Sequence, residues 1–394
     1  MAKMDDYQLN SIVTSEIRDS LNHFDSEYSQ ERIRALDFYL GEPLGNEVEG
    51  RSQVISTDVA DTIEQIMPNL MRVFTANDQY VRFAARTAED VERADQITDY
   101  VNYVINHDNE GYKILNNWFK DALLFRLGVV KYYYEEKEDV TEEEYENLNE
   151  MELSALLSNP DYELVGTISE QATAFMVDEM TGEEVPIDSS FSVRVKVKRK
   201  SGKIKVANIP PEEFLINRRA VDLEDAHFVA HRTSMTVSDL VAMGYDEEEM
   251  EQYAGYGGSA LDPESFEEQE ARNPFDNMVY PDRNDAGGKD VLYVEHYLYY
   301  DFDDDGIDER IRVCTAGNGL EIINVEQWDE LPICMFCPDP EPHTAIGSCP
   351  ADYLKPIQAA KSQIMRDTLD SLGHSIFPRM GVVEGQVNID DVLN

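Results

Sequence analysis

Cysteine is scarce in this chain, four residues among 394, and the N-terminal run MAKMDDYQLN lacks the apolar core of a signal peptide. Both point to a reducing cytosol, or to a particle assembled there. Basic residues are few as well: 33 Lys and Arg stand against 80 Asp and Glu, a formal net charge of -47. Such a chain repels a phosphate backbone at long range, which argues against a protein that grips duplex DNA but not against one that lets DNA slide past. No apolar run approaches the roughly eighteen residues of a membrane span, so no membrane association is expected. The sequence also has no G-x-x-x-x-G-K-[ST], no G-x-S-x-G and no H-E-x-x-H. The GGKD at Gly287 to Asp290 lacks the hydroxyl residue a P-loop places on magnesium. Carboxylates near one another in sequence carry almost no weight as an acid–base pair when there are 80 of them. The expectation is a non-enzymatic protein without a cofactor, long enough for two or three domains with large cores.

Against these absences stands the segment YYDFDDDGIDERIRV, Tyr299 to Val313. Asp301, Asp303 and Asp305 followed by Gly306 satisfy the first half of a calcium loop, in which alternate carboxylates point inward and glycine allows the sharp turn. The twelfth position, where an EF-hand needs a bidentate Glu, is Arg312. The flanks, Tyr293 to Tyr300 and Ile307 to Val313, read as strands of a hairpin with Asp-Gly at the turn. The expectation is a solvated acidic tip, with Asp301, Asp303 and Asp305 a weak cation site at most. Cys334, Cys337, His343 and Cys349 would suit zinc by ligand type. Leu331 to Phe336 looks like a strand, however, where residues three apart face opposite sides, so no zinc site is expected. His227 and His231 lie in AHFVAH, also strand-like, and only a helix would bring them together.

The chain opens helical, with Leu9, Ile12, Val13, Ile17, Leu21 and Phe24 forming one stripe. A second helix is expected over Asp58 to Phe74, kinked or ended by Pro68. Two more follow, Glu89 to Asn106 and Gly111 to Leu127, with Gly128 as a C-cap before a strand over Val129 to Tyr134. Thr141 and Glu144 make a capping box that opens a short helix stopping at Pro160. Phe191 to Val206 reads as a hairpin turning at Ser201-Gly202, with Val193, Val195 and Val197 on one face and Arg194, Lys196 and Lys198 on the other. Its seven basic residues between Arg194 and Lys205 would suit a nucleic-acid groove, yet no aromatic platform is interleaved. An acidic surface of this subunit or a neighbour is the favoured partner. Asp246 to Gly288, rich in acid, Gly, Pro and Asn, reads as a mobile loop. Beyond the proline-broken PDPEPHTAIGSCP lies a long helix, with Ser348 or Cys349 as cap and Pro350 in the first turn. Leu354, Ile357, Ile364, Thr368 and Leu372 form its stripe, ending before Gly373. So sparse a stripe suits lateral packing against copies of itself better than a deep core.

In order along the chain, RIRALDFYLGEPLGNEVEGRSQVISTDVADTIEQIMPNLMRVF (Arg32 to Phe74), NIPPEEFLINRRAVDLEDAHFVAHRTSMTVSDLVAMGYD (Asn208 to Asp246), DFDDDGIDERI, PEPHTAIGSC, the Gln- and Arg-bearing helix and FPRMGVVEGQVN resemble the portal proteins of tailed bacteriophages, most closely the large portals of short-tailed, marine-type phages. Each motif is weak alone; their order is specific and spans most of residues 30 to 394.

The resemblance implies an α+β, portal-like fold: a helical N-terminal wing with β-hairpins, and a long stem helix near the C-terminus. It places the wing at 1–345, divided into helical 1–128, mixed α/β 129–245, an acidic mobile loop 246–288 and a β-hairpin region 289–345. The first stem helix falls at 346–376 and the start of the clip at 377–394. The second stem helix, tunnel loop and crown of a longer portal would lie beyond Asn394, so the chain reads as C-terminally truncated. The implied role is a subunit of a usually dodecameric ring at one capsid vertex of the virion, assembled in the host cytoplasm. Double-stranded DNA is packaged and ejected through such a ring without sequence-specific binding. The implied partners are copies of the chain, the terminase, the major capsid or scaffolding protein and the tail adaptor. The competing reading is an acidic calcium-dependent binding module built on Asp301, Asp303 and Asp305; a metal hydrolase on His227 and His231 ranks third.

Overall fold

A computed structural model describes residues 6–24, 28–77, 79–159, 162–165, 169–177, 184–254, 263–273, 286–301 and 306–376. In chain order the elements are α1 (Asp6–Phe24), α2 (Gln30–Leu40), α3 (Asp58–Thr75), α4 (Val91–Tyr103), α5 (Gly111–Phe125), β1 (Gly128–Leu148), α6 (Glu150–Leu157), β2 (Tyr162–Leu164), β3 (Ser169–Val177) and β4 (Glu184–Ile209). They continue with β5 (Phe214–Ile216), β6 (Phe228–Thr236), α7 (Val237–Ala242), α8 (Glu247–Tyr253), α9 (Pro263–Arg272), β7 (Asp290–Tyr300), β8 (Glu309–Ala316), β9 (Glu321–Gln327), β10 (Ile333–Phe336) and α10 (Pro350–Ile376). The fold is mixed helix and sheet with a long helix at the C-terminal end, the α+β class expected. The chain forms two compact units, one of residues 1–131 with 206–394 and one of residues 132–205.

The larger unit centres on the antiparallel sheet β5-β6-β7-β8-β9. The 290s hairpin pairs as expected, Tyr300 opposite Glu309 and Tyr293 opposite Ala316. β7 is buried along most of its length, because both sheet faces are covered and alternate residues enter different cores. Leu292 and Val294 pack with Leu9, Val13, Ile17 and Phe24 of α1. Val291 and Tyr293 pack with Val237, Leu240 and Met250 of α7 and α8. A third core joins α3, α5 and the start of α10, with Val59, Ile63, Met67 and Met71 against Phe119, Leu123, Cys349 and Ala351. Pro68 sits inside α3 without ending it.

Several local expectations are corrected. Helix α2 was not anticipated; its buried positions are Arg32 and Ala35, and an arginine at a core position hides an apolar period. Gly128 is not a C-cap. The left-handed residue ending α5 is Arg126 (φ 72°), and Gly128 opens β1 because a Cβ there would strike the Trp118 carbonyl. Thr141 and Glu144 lie within β1, which runs on to Leu148. The capping box belongs to Asn149 and Glu152, with Glu152 N–H donating to Asn149 Oδ1 (2.8 Å) and Asn149 N–H to Glu152 Oε2 (3.0 Å). The 246–288 stretch, expected as a loop, contains α8 and α9. Met250 of α8 is fully buried, and Glu268 of α9 pairs with Arg32 (3.5 Å). Short amphipathic turns amid acid-rich sequence leave too few periods to be read from pattern alone.

In the smaller unit no hairpin turns at Ser201-Gly202: β4 is one 26-residue strand passing straight through. Gly202 lies where a Cβ would collide with the Tyr134 ring of β1, so it serves a close approach between β4 and β1 rather than a turn. Val193, Val195 and Val197 form the core with Leu153, the alternation expected of them.

Candidate assembly site on the C-terminal helix

α10 begins at a cap built from its own first turn. Cys349 N–H donates to Asp352 Oδ2 (3.2 Å), the reach-back half of a capping box ahead of Pro350. Arg126 grips the same carboxylate through Nε (2.8 Å) and a terminal nitrogen (3.1 Å), and Lys355 Nζ lies 3.1 Å away. Burial alone would raise the Asp352 pKa, but Arg126 and Lys355 outweigh it and hold the carboxyl below its usual range. The neighbouring Cys349 thiol is pushed up to about 11 by burial, an inert structural cysteine.

Beyond the first turn the helix is inverted. Its buried residues are Ala351, Lys355, Gln358, Ser362 and Arg366, a largely polar stripe, and each of the polar ones answers a specific group on α2 or in the non-helical segment between α2 and α3. Gln358 accepts from Val59 N–H (2.8 Å) and donates to Phe38 C=O (2.9 Å), so one side chain satisfies an orphan donor at the start of α3 and an orphan acceptor at the end of α2. Ser362 Oγ accepts from Ser56 N–H (3.0 Å). Arg366 Nε donates to Val54 C=O (3.1 Å) and its guanidinium also meets Asn46 (2.7 Å) and Glu47 (3.0 Å). Asp370 accepts from Ser52 N–H (2.8 Å). Thus 358, 362, 366 and 370 step along α10 by four while 59, 56, 54 and 52 step back by three and then by two. The match is metric: four helical residues rise about 6 Å and two extended residues about 6.6 Å.

The opposite face of α10 carries the apolar side chains. Ile357 is 57% exposed, Ile364 65% and Leu372 52%, and Leu354 alone of the expected stripe packs inward. The helix also runs through Gly373 to Ile376 instead of stopping before it. Sequence inspection found the apolar stripe but missed that the residues opposite it face the core. The available signal was Gln, Ser, Arg and Asp repeating at i+4.

The other candidates resolve as follows. Asp301 Oδ2 accepts from Gly306 N–H (2.8 Å), with Gly306 left-handed at φ 87°; Asp303 and Asp305 lie outside the described residues. Arg312 is committed to Glu326 (2.9 Å) and stacks over Trp328. Cys334 is exposed on β10, Cys337 accepts from Gly347 N–H (3.3 Å) and Cys349 is buried. Among the described residues no three His, Cys, Asp or Glu side chains gather to hold a metal. His227 and His231 sit apart, His227 edge-on to Tyr299 and His231 beside Glu213 (3.5 Å). Glu295 accepts from Lys131 Nζ (2.6 Å) and from Tyr297 (2.8 Å), a buried network that ties β1 to β7. In the smaller unit five of the basic residues of β4 pair with acids of that unit: Arg194 with Glu144, Lys196 with Glu142, Lys198 with Glu163, Arg199 with Glu143 and Lys205 with Glu135, at 3.2 to 3.9 Å; Lys203 is exposed.

The described residues thus combine a mixed helix and sheet fold with a long helix, Pro350–Ile376, whose outer face is apolar. The profile of the family described as Phage SU10 portal protein matches residues 9–394, and the chain belongs to that family. A search of curated proteins returned no match.

Proposed function

We propose that this chain is a structural portal subunit, forming with copies of itself the ring at one capsid vertex through which double-stranded DNA enters and leaves. The observation that carries the reading is the inverted α10. A helix whose inner face is fixed by hydrogen bonds and whose Ile357, Ile364 and Leu372 are exposed has its apolar surface free for lateral packing on a neighbour. On this reading residues 346–376 are the first stem helix, 377–394 begin the clip, and the terminase, the capsid or scaffolding protein and the tail adaptor dock on the wing and clip. The charge of -47 suits a channel along which DNA slides without sticking. Any cation at the Asp301 to Asp305 tip is loosely held, for want of a closed oxygen shell.

Native mass spectrometry tests this. A closed homomeric ring is expected, and Ile357→Glu with Ile364→Glu should reduce it to monomer at unchanged melting temperature. A parent protein that stays monomeric at every concentration tested would overturn the assignment.

A further inference from the structure

The basic stretch that draws the eye, on β4, is largely paired, through Arg194, Lys196, Lys198, Arg199 and Lys205; a less conspicuous one is not. Arg72, Arg82, Arg86 and Arg93 are all exposed, and among the described residues none of the four makes an ion pair, although Glu89, Asp90 and Glu92 stand close in sequence. Other exposed bases outside any ion pair among the described residues, such as Arg18, Arg51 and Lys289, stand singly along the chain. These four fall in one stretch of sequence, Arg72 to Arg93.

Their setting is a built one. The segment around Arg82 belongs to no sheet and is strapped to α4 by two buried side chains. Asn102 Oδ1 accepts from Tyr80 N–H (2.6 Å) and Val81 N–H (3.2 Å), while its Nδ2 donates to Val81 C=O (2.8 Å). Thr98 Oγ1 accepts from Phe83 N–H (3.0 Å). This is the device of α10 repeated: helix positions four apart hold an extended segment by its backbone and leave its side chains outside. Val81 and Phe83 are consequently 39% and 41% exposed beside Arg82.

We propose that this strap is the electrostatic docking strip by which one copy of the chain attaches to the acidic surface of the next. The inference rests on the ring reading above. Copies carrying -47 each repel, and uncompensated cations are where attraction between them can be generated. The composition favours protein over DNA as the occupant: all four bases are arginine, no lysine lies between them, and they are interleaved with exposed Val and Phe. Arginine and aromatics are enriched at protein interfaces while lysine is depleted, whereas a phosphate track has no use for exposed aliphatic side chains. A backbone already strapped down adds little ordering cost on binding.

The test is sedimentation velocity on the whole chain at low (about 50 mM) and high (about 500 mM) salt, with duplex DNA retention measured alongside. Arg82→Glu with Arg86→Glu should weaken subunit association at least about tenfold at low salt, with a smaller difference at high salt and an unchanged melting temperature. Arg82→Lys with Arg86→Lys should keep most of it. If the reversal variant melts early, Arg82→Gln with Arg86→Gln is read in its place. Assembly of the variant identical to the parent's overturns the strip alone, as does loss of DNA retention with assembly intact, which would assign the strap to DNA. A parent that never assembles overturns the ring and the strip together.

Discussion

α3 and α10 are neighbours in the same unit and obey opposite rules. α3 buries Val59, Ile63, Met67 and Met71, an apolar stripe at helical spacing whose burial supplies the driving force. α10 buries Gln358, Ser362 and Arg366 and leaves Ile357 and Ile364 outside. Apolar burial is non-directional and fixes a helix only through the shape fit of its side chains. Hydrogen bonds to successive backbone groups cannot be shifted without breaking all of them, so the α10 ladder fixes both rotation and register. A polar inner face therefore gives up hydrophobic stabilisation within the chain and gains a determined direction for the apolar outer face.

The sharpest test of that contrast removes one anchor from each helix. Ile63→Ala should destabilise by about 2–5 kcal/mol through lost burial and a residual cavity. Gln358→Leu keeps volume and adds apolar character, so by the α3 rule it should stabilise; it should instead cost about 2–4 kcal/mol, because Val59 N–H and Phe38 C=O are left buried and unpaired. Urea denaturation of both variants decides, and a neutral Gln358→Leu would break the comparison. Next in size, Ile364→Ala should change the unfolding free energy by less than about 0.5 kcal/mol, since the side chain is 65% exposed, while weakening association measured by sedimentation.

How far the sequence disclosed this follows from the same contrast. Several elements whose stabilisation is apolar and periodic were legible: α1 with Leu9, Val13 and Ile17, α3, the β7–β8 hairpin and the Val193 to Val197 alternation. Where polar groups are buried the pattern misleads. α2 hides behind Arg32, the ladder on α10 reads as a solvated face, and the strap on α4 depends on Thr98 and Asn102, ordinary polar letters until their partners are seen. The basic stripe on β4 was conspicuous because charge of that sign is rare here, yet conspicuousness in sequence says nothing about whether a partner lies across the sheet. Asn149 outcompeted Thr141 as a cap because β1 claims residues up to Leu148.

The region where α9 meets α2 and α5 offers a titratable version of the comparison. Asp121 is pushed up to about 7, chiefly by burial and further by Glu212, against the opposing pull of Arg272, Lys120 and Arg32. A carboxyl whose folded pKa lies above its unfolded value binds more protons when folded, so its contribution to stability is lost as pH rises from about 4 to about 7. Asp121→Asn should accordingly raise the melting temperature at pH 8 and leave it nearly unchanged at pH 4. His296, wholly buried and lowered to about 3 by desolvation, acts in the opposite sense, costing stability as pH falls from about 6.5 toward 3. That loss should persist in the variant. A smaller effect is expected in the other unit. The β4 ion pairs are largely exposed, and such pairs contribute about 0.2–1 kcal/mol each. Lys196→Glu with Lys198→Glu should lower the melting temperature by a few degrees at most and leave DNA retention unchanged.

The smallest effect is expected at the Asp301 tip, where an acidic cluster looks most like a site. The carboxylate of Asp301 is occupied by Gly306 N–H, as in an Asx-type turn, and the strands on either side hold Tyr300 and Glu309 in register. A calcium shell takes six to eight oxygens, and an EF-hand loop supplies two of them from a bidentate Glu at its twelfth position; here that position is Arg312, spent on Glu326. Asp301→Asn retains the acceptor oxygen and relieves like-charge repulsion, so it should be neutral or slightly stabilising. Gly306→Ala, forced into the left-handed region, should cost about 1 kcal/mol. Calcium at millimolar concentration should move neither melting temperature, because a ligand stabilises only by the ratio of its concentration to Kd. If calcium instead raised the parent's melting temperature by several degrees and Asp301→Asn abolished the rise, the tip would be a metal site and the reading of it as a loosely held, solvated turn would fail.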